Sequence, residues 1–350
     1  MKIIEILTPA YDAAWLPWAV QYFFLIGIAT TTAITVALIS FTDAQSPVRR
    51  VLPAAVTVLL VSAIVAPIAL FADLQQPGRF WHFYAYFSPH SWMSIGAFLL
   101  PVFVVLSLLY ALFWWFNRET LLRFSSILLI VSAVSILIYT GAEVMVIRAR
   151  PLWHTYFLPI NFALTGWLAS LGAILLVARW TPNGLTALPA GLMRRLSLAA
   201  LVLLAISACG WVLAGITGVE PSFTAAMELF STYPTWRSSL YGSVILALVL
   251  IALLSVRPER ICSPWHSLIC ALVMMGSAWV FRWIIFMSVQ GVPKYGAGLY
   301  LQSMPLGSDG LMGMIGILGL CIALLAIVTW FLYRFPRPHA FASLSPSPHS

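Results

Sequence analysis

Tyr139 and Glu143 stand four residues apart within an otherwise apolar run, and the spacing puts both side chains on one face of a helix. A carboxylate can take a proton, and a phenol can hydrogen-bond an oxygen of a bound molecule. Three more polar groups fall at the same level. Gln21 enters the first apolar run, Asp73 closes the second, and His82 follows in the loop after it. Arg282 is the other ionisable residue well inside an apolar run. Charges in such positions are costly and usually mark a ligand site or a pathway. The competing reading for Glu143 is a structural ion pair with Arg282 or Arg148.

The elements that must position these groups are membrane helices. Hydrophobic residues make up 62% of the 350-residue chain and charged residues 8%, against roughly 45–50% and 25% in soluble domains. Nine apolar stretches approach the roughly 20 residues that a bilayer core of about 30 Å requires. They are placed at Trp18–Phe41, Val51–Ala72, Ser94–Phe116, Phe124–Ile147, Phe157–Ala178, Leu196–Thr217, Leu240–Val256, His266–Val289 and Gly310–Tyr333. The seventh is the shortest. Runs of this length exclude the strands of a β-barrel, so the expected fold is an all-α, polytopic membrane helix bundle. One integral membrane domain is expected over 1–333. It divides into four-helix bundles at about 18–147 and 157–289 plus a ninth helix at 310–333. A short disordered cytoplasmic tail, 334–350, follows. The late, full-length first run and the acidic Glu5 and Asp12 before it argue against a cleavable leader.

Orientation follows from the basic residues. Eleven Lys and Arg lie on the side reached after odd-numbered spans and seven on the other. Three acidic residues lie on the first side and seven on the second, so the whole net charge of +8 belongs to one face. By the positive-inside rule that face is cytoplasmic, and the N-terminus is outside. The charge therefore reports topology, and nucleic-acid binding is not expected. Tyr139, Glu143, Gln21, Asp73 and His82 all fall at the outer end.

The absences narrow the chemistry. All six histidines lie in loops, at span ends or in the tail, so none is placed to ligate a haem within the bundle. The four cysteines form no CxxC pair, which argues against an iron–sulfur cluster or a structural metal. No phosphate-binding or dinucleotide fingerprint is present. Any redox role must then use a diffusible or lipid-borne carrier. A quinol site needs an apolar slot for the tail, hydrogen-bonding groups at the head and a proton acceptor near water. The five outer groups supply those types. A transporter would instead place its polar groups near the midplane on broken helices, and a purely structural anchor would need none of them.

Several blocks carry a family resemblance. Trp18-Ala-Val-Gln-Tyr-Phe-Phe-Leu-Ile-Gly27, Asp73-Leu-Gln-Gln-Pro-Gly-Arg79, Ser91-Trp-Met-Ser-Ile-Gly-Ala97, Tyr139-Thr-Gly141 and Arg150-Pro-Leu-Trp153 resemble the polysulfide reductase membrane-subunit (NrfD) family, in its order. Trp15-Leu-Pro-Trp18, Glu143, Phe281-Arg-Trp283, Val292-Pro-Lys-Tyr295 and Gly307-Ser-Asp-Gly310 resemble one branch, the membrane subunits of tetrathionate reductases. The resemblance implies a quinol-oxidising anchor in the bacterial inner membrane with its active face periplasmic. The quinol is menaquinol or ubiquinol, and this chain carries no haem, iron–sulfur cluster or metal. The implied partners are a periplasmic iron–sulfur subunit and a molybdopterin catalytic subunit. By the same resemblance Tyr139 and Gln21 hold the quinone head. His82 is the third candidate ligand, and Glu143 and Asp73 are the candidate proton acceptors. Arg79, Arg148, Arg150, Arg282 and Lys294 are expected to dock the partner or to be structural. The other readings are an anchor for a related polysulfide- or thiosulfate-type molybdoenzyme and a purely structural anchor.

Overall fold

The computed structural model of the chain describes residues 15–74, 76–182, 184–292 and 304–335. Lys294 and almost all of the expected tail lie outside the described residues. Among those described, nine helices are long and apolar enough to cross a membrane, and there is no strand. The spanning helices are α1 (Pro17–Ser40), α2 (Leu52–Asp73), α4 (Trp92–Trp115), α5 (Glu119–Met145), α6 (Phe157–Val177), α7 (Ala190–Ile216), α9 (Pro234–Leu254), α11 (Pro264–Trp283) and α12 (Leu311–Arg334). Short helices α3 (His82–Ala85), α8 (Pro221–Thr232) and α10 (Pro258–Ile261) sit in the connections. Prolines open α1, α2, α8, α9 and α11 within their first two positions. An amide there has no partner inside the helix, so its absence is harmless.

All nine expected spans are present. The seventh is 21 residues, longer than its apolar stretch implied, because Pro234 starts it six residues earlier. Helix α8 had no counterpart in the sequence reading. Its 12 residues are too few to span, and its polar and apolar residues are segregated to opposite sides.

Helix α1 is the axis of the structure. It packs against α2, α5, α6 and α11, and 83% of its most apolar window is buried. Lipid tails are as apolar as leucine, so close contact in such a bundle comes from small side chains. Gly27, Ala29, Thr30, Thr31, Thr32 and Ala33 supply them, with the Thr30 and Thr31 hydroxyls donating back to Ile26 O and Gly27 O at 2.8 and 2.7 Å. Backbone meets backbone where Gly27 crosses Gly166 of α6. A Cβ added at Gly166 would lie 2.9 Å from Gly27 O and 3.1 Å from Gly27 C. Those atoms are backbone, so the helices would have to part. Gly166→Ala is expected to lower stability by about 1–3 kcal/mol, read as a fall in the detergent-solubilised protein's melting temperature. A change smaller than the assay error means that α1 and α6 do not meet as described.

The same crossing holds Arg282, which is 1% exposed. Its Nε donates to Phe23 O at 2.8 Å, Nη1 to Thr165 Oγ1 and Ala278 O at 3.0 Å each, and Nη2 to Phe162 O at 3.1 Å. Its guanidinium also lies over the Phe162 ring. Arg282 thus ties α1, α6 and α11 together through carbonyls. Just beyond it, Ile284–Ser288 is wound as a π-helix. Trp153 Nε1 donates to Ile285 O at 2.8 Å, and Arg150 Nη1 donates to Val289 O and Val292 O at 2.7 and 2.9 Å. Both Arg150 and Arg282 thus donate to backbone carbonyls of neighbouring segments.

Candidate functional site

Tyr139 and Glu143 both face inward near the C-terminal end of α5, with exposures of 2% and 7%. They are joined by Tyr22 of α1, fully buried and absent from the sequence-based candidates. The Tyr139 hydroxyl is close enough to interact with both the Tyr22 hydroxyl and the Glu143 carboxylate. Asp73 lies within electrostatic range of Glu143. Even so, the Tyr22 hydroxyl and Glu143 Oε2 are buried without a completed hydrogen bond among the described residues. Buried polar atoms nearly always have partners, and orphans gather at functional sites.

Among the described residues, Glu143 is not paired with an arginine. Arg282 is committed to carbonyls, and Arg148 is exposed at the end of α5. The ion pair among the described residues joins Arg49 to Glu119 at 2.8 Å, at the opposite end of α5. The structural pairing considered for Glu143 is therefore absent there.

An apolar cavity of about 510 Å³ reaches Tyr139 from the lipid side. Its walls are α2 and α4, and its roof is the loop bearing Phe80, Phe83 and Tyr84. Several lining residues, Ile68, Phe71 and Val105 among them, are also exposed on the outer surface of the bundle. The mouth therefore opens toward lipid. Two prolines inside helices, Pro67 of α2 and Pro101 of α4, line it. A proline lacks the amide that the carbonyl one turn earlier expects. For Pro101 that carbonyl is Ala97 O, and the Tyr84 hydroxyl donates to it at 3.0 Å. The vacated bond thus anchors the roof. Gly96, one residue earlier, lets Tyr139 approach: a Cβ there would overlap the Tyr139 ring and hydroxyl.

The remaining candidates take distinct places. Asp73 Oδ1 accepts the Leu16 amide at 3.0 Å, so it caps the start of α1, where Leu16 offers no capping side chain of its own. Gln290 clasps the same entry, its amide oxygen accepting Trp15 N and its amide nitrogen donating to Trp15 O, both at 3.0 Å. Gln21 is buried in α1, one residue and hence about 100° around the axis from Tyr22. His82 sits in α3 with its ring edge-on to Trp81 and Tyr86, while its neighbours Phe80, Phe83 and Tyr84 line the cavity. Arg79 is exposed in the turn Pro77–Arg79. Among the described residues, no group of three or more His, Cys, Asp and Glu could hold a metal ion.

The fold and the site define a polytopic membrane protein with a buried tyrosine–carboxylate cluster reached from the bilayer. The chain belongs to the polysulphide reductase, NrfD family, whose model matches residues 7–294. It is similar to a tetrathionate reductase subunit of Salmonella typhimurium (strain LT2), with 34% identity over 333 residues, 93% of this chain and 94% of that protein. It is thus a membrane subunit of this family, and its relative is a subunit of a reductase complex.

Proposed function

We propose that this chain oxidises membrane quinol and passes the electrons to a periplasmic iron–sulfur subunit, which feeds a molybdopterin subunit that reduces a sulfur compound, tetrathionate by analogy with the relative. The observation that carries the reading is the lipid-facing apolar cavity ending at Tyr139, with the orphaned Glu143 Oε2 and Tyr22 hydroxyl behind it. The cavity matches an isoprenoid tail, and the two phenols and the carboxylate match a dihydroxy head. Quinol supplies two electrons and two protons when bound. Tyr139 holds one head oxygen, with Tyr22 beside it supporting the hydrogen-bond relay. Glu143 Oε2 accepts the two protons in turn, each passing Asp73, within electrostatic range, toward water before the next is taken. Arg79 and Arg148, exposed at this end, are available to the partner.

Tyr139→Phe removes one hydrogen bond to a largely desolvated ligand, about 0.5–1.5 kcal/mol, or up to ~3 if a polar group is left unpaired. The expected result is a rise of about 2- to 12-fold in the KM for quinol, with dye-driven reduction by the partner subunits unchanged. An unchanged KM would remove Tyr139 from the site. Extraction of the purified complex should also yield bound quinone, reduced in amount by Tyr139→Phe.

The charge asymmetry supports the placement of this site at the periplasmic face of the inner membrane. A reporter fused after Ser350 is expected to be active only if it works in the cytoplasm. Activity of a periplasmic reporter there would invert the topology and remove the site from the periplasm.

A further inference from the structure

A second cavity, about 500 Å³, lies away from Tyr139 among α6, α7, α9 and α11, roofed by α8. We infer that it is a binding site for one acyl chain of a membrane phospholipid, held between the helices as a structural part of the bundle. Its origin is the path of α9. That helix buries Trp236 near one end and Leu250 and Leu254 near the other, and nothing between them. Ser239, Ser243 and Ala247 nevertheless face the cavity. Between Trp236 and Leu250, 14 residues on, α9 has no fully buried side chain, and only Ser239, Gly242 and Leu246 are half-buried, a length of about 21 Å at 1.5 Å per residue. The lining runs along α9 from Trp236 to Ile251, a length that matches a hydrocarbon chain.

Its chemistry selects the occupant. The lining is largely apolar: its serine hydroxyls are already used, and Asn161 is the one amide side chain among its polar residues. Ser239 donates to Thr235 O, Ser243 to Ser239 O and Ser277 to Met274 O, while Ser222 accepts from Trp211 Nε1. A buried water needs two to four polar partners, and a smaller engineered apolar cavity of about 150 Å³ stays dry and takes up hydrocarbon. Water is therefore a poor occupant. A quinone head would find only the Asn161 amide here, in contrast with the orphaned Tyr22 hydroxyl and Glu143 Oε2 at the other cavity. Left empty, the space would forfeit dispersion contacts along five helices. α8 roofs the chain at one end, and Arg237 there donates to Phe230 O and Ser231 O through Nε and Nη2, leaving Nη1 directed to neither. A phospholipid phosphate suits that position.

The test uses the full-length complex reconstituted in phosphatidylethanolamine–phosphatidylglycerol vesicles that carry a diazirine at mid-chain. Labelled residues are mapped after irradiation. Ile245, 59% exposed on the outer surface of α9, serves as the internal reference because it meets bulk lipid in every variant. In the wild type, Ala247 and Ala208 should be labelled at a rate comparable to Ile245. Ala247→Phe and, separately, Ser243→Leu fill the cavity and should lower the labelling of Ala208 relative to Ile245 at least tenfold. An unchanged ratio in both variants overturns the proposal, as does absence of cavity labelling in the wild type. Displacement of the acyl label by a short-tailed quinone analogue also overturns it, since the site would then select a ring.

Discussion

Glu143→Gln is expected to lower quinol-driven reduction by about 10²–10⁴-fold, the usual range for loss of a positioned general base. The substitution keeps the shape of the side chain and removes its ability to accept a proton. Glu143 makes no ion pair with Arg282 or Arg148, so the fold does not depend on its charge as a counter-ion. The variant should therefore insert, assemble and reduce substrate at near wild-type rates with an artificial dye that feeds the partner subunits directly. Parallel loss of both activities would make Glu143 structural. Loss of neither would move proton acceptance to Asp73, whose Oδ1 is otherwise engaged at the start of α1.

Gly96→Ala tests the same site from the opposite helix. An added Cβ would overlap the Tyr139 ring, so either the ring or α4 must move. Misplacement by about 1 Å can cost on the order of 10²-fold in rate, and a fall of about 10- to 100-fold in quinol-driven kcat/KM is expected. The overpacking should cost about 1–3 kcal/mol in stability. The added Cβ meets ring carbons that phenylalanine keeps as well as the hydroxyl, so the two substitutions share one contact and the loss in the double variant should depart from the product of the two single losses, whereas independent sites would combine additively. Additive losses would show that Gly96 acts on something other than Tyr139.

The spans were legible because run length alone encodes them, and Pro234, Pro264 and Pro53 moved the starts by only a few residues. Tyr139 and Glu143 were legible because a helical turn separates them on an apolar background. Tyr22 was not. Nearly every side of α1 is buried, so its sequence has no polar stripe to say which side chain meets α5. Gln21 drew attention as the polar residue of the first run, while the neighbouring phenol did not. Arg282 was legible as an expensive residue, but its partners Phe23 O, Phe162 O and Ala278 O are backbone carbonyls, which no residue type announces. The two cavities were equally hidden. One brings Pro67 and Pro101 of separate helices into one lining, and the other depends on how α9 packs against α6, α7 and α11.

The mouth between α2 and α4 has a consequence for how the protein is supplied. Its rim residues Ile68, Phe71 and Val105 are exposed to the hydrocarbon layer. A ligand entering there arrives by lateral diffusion within a sheet of lipid. The variable that governs saturation is then its mole fraction among the lipids, and the volume of the surrounding water drops out. Diluting the same vesicles tenfold in buffer should leave the turnover rate per enzyme unchanged. Diluting the bilayer tenfold with inert lipid should lower it whenever the site is not already full.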